Sequence, residues 1–109
     1  MKPIDPQAAI ETMWNLAPQY AAAKAHRIYL EEFTKSKRAL LMKSCGESAV
    51  SAQEREAHAH PEYITHLEGL RAAVEAEETL RWRLVSTQAG VDVWRSQNAS
   101  NRQIDRAAQ

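Results

Sequence analysis

Apolar residues recur at intervals of three and four along most of this chain, and nowhere alternate with polar ones as they would in a strand. The clearest stretch runs from Glu62 to Ser100, without a proline and with two glycines, Gly69 and Gly90. Its stripe reads Tyr63, Leu67, Leu70 and Val74, then Leu80, Leu84, Val91 and Trp94. Between Val74 and Leu80 the stripe slips by about one residue, which predicts a stutter or a change of partner. At roughly 1.5 Å per residue such a helix is about 55–60 Å long. It needs a partner helix along its length, in the same chain or in another.

Helix breakers divide the rest. Asp5-Pro6 has the form of an N-cap followed by proline at the first helical position, so a short helix is expected up to about residue 17. Pro18 disfavours helical geometry at Ala17, which predicts a break or kink near Asn15–Ala17. A long helix then runs over 18–44 with Tyr20, Ala23, Leu30, Phe33, Leu40 and Leu41 on one face. Cys45-Gly46 ends it, glycine being the favoured stop. Ser51-Ala-Gln-Glu54 matches a capping box and opens a short helix to about Ala59, inside a connection spanning 45–61. His60-Pro61 punctuates the start of the second long helix over 62–100, and 101–109 reads as a polar, frayed tail. The expected fold is all-α, one domain over 1–109: a long antiparallel, coiled-coil-like hairpin with a short N-terminal helix and a short helix in the connection.

Composition narrows the picture. The 109 residues are 44% hydrophobic, largely through alanine, with 6% aromatic residues and a mean hydropathy of −0.56. Thin helix-on-helix seams suit such a chain better than a deep core, and assembly into a homo-oligomer would bury more surface. The formal net charge is zero but segregated. Lys24–Lys43 carries +4, Glu47–Glu78 carries −6, and the part after Thr79 carries +3. In an antiparallel hairpin the basic Lys35–Lys43 stretch faces the acidic Glu62–Glu78 stretch. A single cysteine, Cys45, excludes an internal disulfide and fits a reducing compartment. The longest run of large apolar residues is Leu40-Leu41-Met42, too short to span a bilayer, and the N-terminus lacks the apolar segment of a signal peptide. A soluble protein of the cytoplasm, the host cell's if phage-encoded, is expected.

No enzyme is expected. Glu75, Glu77 and Glu78 lie near no nucleophile, and acids in a row on a helix are usually a solvated face. His58, His60 and His66, with Glu56 and Glu62, resemble metal ligands only loosely. Pro61 prevents one regular helix from presenting them together, so no metal, cofactor or small-molecule substrate is expected. The sharper feature is Arg81-Trp82-Arg83 with Trp94-Arg95. Aromatic rings between cations on a helix suit single-stranded nucleic acid, whose bases stack on rings while phosphates meet cations. The same residues would serve equally as a helix–helix seal with snorkelling arginines. Candidate nucleic-acid contacts are Arg81, Trp82, Arg83 and Arg95, then Lys35, Lys37 and Arg38, whose alternative is to neutralise the acidic start of the long helix. Trp82, Val85 and Val93 fall off the main stripe and, with Trp94, are the expected oligomer interface.

The segments Tyr29-Leu-Glu-Glu-Phe33, Ser36-Lys-Arg-Ala-Leu-Leu-Met42, Ala52-Gln-Glu-Arg-Glu-Ala57, His60-Pro-Glu-Tyr63, Arg81-Trp-Arg-Leu84 and Val93-Trp-Arg95 resemble small helical proteins of tailed phages and prophages, over about residues 18–106. The layout is similar to phage recombination mediators, through Trp94-Arg95 and Asn101-Arg102. That resemblance implies an oligomeric accessory protein of DNA recombination or replication that binds single-stranded DNA and helps load a recombinase. The alternatives are a protein-binding module regulating a host or phage enzyme, such as a nuclease inhibitor, and a virion assembly protein.

Overall fold

The computed structural model describes residues 4–108. Among them are three helices and no strand: α1 (Pro6–Ser44), α2 (Val50–Ala59) and α3 (Pro61–Ala108). The chain forms the expected all-α hairpin, with α2 in the connection.

Asp5 caps α1 as its sequence predicts. Its carboxylate accepts from the Gln7 amide at 3.0 Å and its carbonyl from the Ala9 amide at 3.0 Å. The expected break before Pro18 is absent, and α1 is one helix of 39 residues. Pro18 removes the amide that would bond the Trp14 carbonyl and crowds the preceding turn. The Gln19 side chain donates to the Asn15 carbonyl at 3.2 Å, supporting the backbone there. Leu16, 4% exposed, and half-buried Tyr20 pack on either side of the proline. This packing holds the chain helical against the local preference.

At the other end Gly46 takes φ +81°, the left-handed conformation that stops a helix. Ser44 Oγ donates to the Leu41 carbonyl and Cys45 Sγ to the Met42 carbonyl, both at 3.2 Å, satisfying orphan acceptors of the last turn. The expected capping box at Ser51 does not form, because the N-cap of α2 lies two residues earlier, at Ala49, and has no side-chain bond. Gln53 instead reaches back to the Glu47 carbonyl at 2.8 Å. His60 then closes α2 and opens α3: its ring Nδ1 accepts from the Glu62 amide at 3.1 Å. α3 continues to Ala108, so 101–108 is helix rather than a frayed tail.

Along each helix one row of packed positions follows an alternation of three and four. In α1 they are Pro6, Ala9, Met13, Leu16, Tyr20, Ala23, Arg27, Leu30, Thr34, Lys37 and Leu41, all buried or half-buried. In α3 they are Tyr63, His66, Leu70, Ala73, Glu77, Leu80, Leu84, Thr87, Val91 and Trp94. This is a heptad seam, and it corrects the expected slip between Val74 and Leu80. Leu67 and Val74 are exposed, and His66, Ala73 and Glu77 hold the seam in their stead.

The chain divides into two compact units, one of the residues up to Tyr20 with those from Thr79, the other Ala21–Glu78. In the Ala21–Glu78 unit, polar layers fix the antiparallel register. Arg27 grips Glu77 through two bonds, Nε–Oε2 at 2.6 Å and Nη2–Oε1 at 3.0 Å, and holds Glu31 one turn away at 2.9 Å. The two carboxylates hold the guanidinium more firmly protonated than usual, the Glu77 bonds first and the Glu31 bond second. A second layer joins Thr34 to His66 at 2.8 Å, with the Leu30 carbonyl 3.0 Å from His66 Nε2 and 2.8 Å from Thr34 Oγ1. Phe33 lies against the His66 ring, centroids 5.7 Å apart. Toward the loop, Lys37 donates to Glu62 at 3.1 Å and holds that carboxyl below its ordinary range, by hydrogen bond and then by charge. α2 contributes fully buried Ala57.

In the other unit, Leu16 is the buried anchor of α1. Ile4 lies against Gly90, where an added Cβ would come within 3.1 Å of its Cδ1.

Candidate nucleic-acid interface

The candidate residues fall into different units. Arg81, Trp82, Arg83 and Arg95 lie in the unit containing the start of α1, and Lys35, Lys37 and Arg38 lie in the Ala21–Glu78 unit. Each group has its own geometry.

On α3, Trp82 is 55% exposed and stands away from the seam, whose nearest members are Leu80 and Leu84. At 3.6 residues per turn, Arg81 and Arg83 lie about 100° to either side of it. The half-buried Arg81 guanidinium sits over the indole, 4.6 Å from its centroid. Val85, Ala89 and Val93 continue the Trp82 face, and Val85 and Val93 are each 43% exposed. Three of the four expected oligomer contacts therefore share an exposed apolar strip. Trp94 occupies the seam instead, half-buried. Arg95 is exposed beside Asp92 at 3.8 Å, and Gln88 donates to the same carboxylate at 3.1 Å.

The basic stretch of α1 is differently placed. Lys37 occupies a seam position and its ammonium is engaged by Glu62. Lys35 is exposed, 3.8 Å from Glu32 on its own helix, and Arg38 is exposed. The pairing of basic with acidic segments foreseen in the sequence is thus present between Lys37 and Glu62.

The histidines do not converge. His58 packs edge-on against Tyr63 with centroids 5.3 Å apart, His60 caps α3, and His66 sits in the seam. Among the described residues no group of three or more metal-ligating side chains assembles. No helix there is long and apolar enough to cross a membrane.

Arg102 and Arg106 lie in the segment whose polar composition predicts a frayed tail. With α3 helical to Ala108, Arg102 and Arg106 line a shallow depression with Ala99 and Gln103. They fall within about 40° of Arg95 around the helix. The spacing of 95, 102 and 106 is legible in the sequence once the helix is continued past Asn98.

Comparison with protein-family models, with curated proteins and with solved structures gave no match.

Proposed function

We propose that this chain is a non-enzymatic accessory protein of phage DNA recombination or replication, which self-associates and holds single-stranded DNA on the second half of α3. The observation that carries the reading is Trp82, more than half exposed on a helix and flanked by Arg81 and Arg83. An indole in that setting offers a stacking platform indifferent to base identity, and the flanking cations offer phosphate contacts. The charge balance of α3 agrees. Its acids concentrate before Thr79, and from there five arginines oppose Asp92 and Asp105. A strand would be repelled by the first half and held by the second.

The test is oligonucleotide binding by the full chain. Trp82→Ala should cost roughly 1–3 kcal/mol of binding if a base stacks there. Arg81→Ala with Arg83→Ala should weaken binding and remove about two phosphate contacts from the salt dependence. Double-mutant binding equal to wild type would sink the Arg81–Arg83 assignment.

A second reading has its own support. Trp14 is 81% exposed, next to exposed Ile10 and forming a shallow apolar hollow with Ala17 and Pro18. Exposed apolar residues of this size suit a protein partner. On that reading the chain is a helical module regulating a host or phage enzyme, such as a nuclease, or a virion assembly factor, and oligonucleotide binding would be absent.

A further inference from the structure

Beyond Trp94 every described residue of α3 is exposed, from Arg95 to Ala108. The seam spacing continues into this segment, but its positions are now Asn98, Asn101 and Asp105. No apolar stripe is left for a partner helix, and Ile104 is the one large apolar residue, 65% exposed. An isolated helical stretch of this length is marginal in water. It therefore has no core to complete, and its helix stands without a packed partner.

What it carries is positive charge on one side. Arg95, Arg102 and Arg106 lie within about 40° around the helix; Asp105 is the acid of the segment, and Asp92, in the turn before it, lies 3.8 Å from Arg95. Ala99, one turn after Arg95, leaves room between them. Ala99, Arg102, Gln103 and Arg106 bound a depression about 240 Å³ in volume, large enough to admit a phosphate between two guanidinium groups. Arginine is suited to this contact, because its planar fork presents paired donors to phosphate oxygens. Asn98, Asn101 and Gln103 add amide groups that both donate and accept.

The geometry points to the segment 95–108 as a phosphate-gripping arm for single-stranded nucleic acid, with Arg95, Arg102 and Arg106 as its cations. This rests on the nucleic-acid reading above, but it places the principal phosphate contacts on the arm and leaves Trp82 for stacking. Binding holds the helix of the arm more firmly, because the bound strand supplies the partner that the polar seam lacks.

The experiment compares the full chain with Arg102→Ala/Arg106→Ala and with Arg81→Ala/Arg83→Ala. Fluorescence anisotropy of labelled oligo-dT is followed across salt, with amide hydrogen exchange of the wild type with and without oligo-dT. Each phosphate contact on a single strand contributes about 0.7 to the slope of log affinity against log salt. The Arg102/Arg106 variant should therefore flatten the slope by about 1.4, and oligo-dT should slow exchange across 95–108. If that variant keeps the wild-type slope, or slowed exchange stops short of Arg95, the arm assignment is overturned while the nucleic-acid reading survives on Arg81–Arg83. No wild-type response to oligo-dT overturns both. Response to anionic phospholipid vesicles alone also overturns both, in favour of a membrane surface.

Discussion

At the scale of single residues, the polar members of the seam decide how α1 and α3 align. Leucine-rich seams tolerate sliding by a heptad, whereas a buried polar pair is satisfied in one register only. Glu77, 6% exposed, is matched to Arg27 by two short bonds, and His66 is matched to Thr34 and the Leu30 carbonyl. Truncating one partner strands the other, whereas replacing both with apolar residues removes the desolvation penalty as well. Glu77→Ala should therefore lower the melting temperature. Arg27→Met with Glu77→Leu should restore it to wild type or above, by circular dichroism. A double variant as unstable as the single one would show that the pair is not what the layer depends on. These residues were hard to read from sequence for a physical reason. Apolar periodicity favours Leu67 and Val74 for the places that His66, Ala73 and Glu77 occupy. The apparent slip before Leu80 was the trace of a charged residue in an unbroken seam.

At the scale of elements, the N-cap at Asp5 and the stop at Gly46 were legible because each acts through a few neighbouring backbone groups. The connection with its short helix was legible for the same reason, although Ser51 proved to lie inside the first turn of α2. Pro18 was not, because its effect is set by competition. An interior proline costs about 3 kcal/mol relative to alanine, yet burial of Leu16 and half-burial of Tyr20 keep α1 continuous. If that competition is real, Pro18→Ala should stabilise the fold by up to about 3 kcal/mol, read from urea denaturation with an unchanged slope. No gain would mean that the exposed Trp14–Pro18 turn is already relaxed around the ring. The end of α3 departs from its local signals in the opposite sense. Polar composition from Asn98 onward suggested fraying, but it contains no proline or glycine to stop the helix, and Arg102 and Arg106 gained a place on its surface as a result.

At the scale of the whole molecule, no large side chain among the described residues is fully shielded. Leu16 and Leu41 are the buried large apolar residues among those described, while Ile10, Trp14, Trp82, Val85 and Val93 remain exposed. Exposed apolar residues in this number suit self-association, and the protein should scatter light above its 12.3 kDa monomer mass at micromolar concentration. A monomer throughout that range would remove the oligomer from the account. The central claim, that the second half of α3 holds single-stranded nucleic acid, is tested most directly by titrating wild-type protein onto labelled oligo-dT between about 50 and 200 mM salt. With Arg81, Arg83, Arg95, Arg102 and Arg106 each meeting a phosphate, log affinity should fall with log salt at a slope near −3.5, about a hundredfold over that range. Absence of binding at about 50 mM, or binding indifferent to salt, would contradict the claim and leave the protein-partner reading in its place.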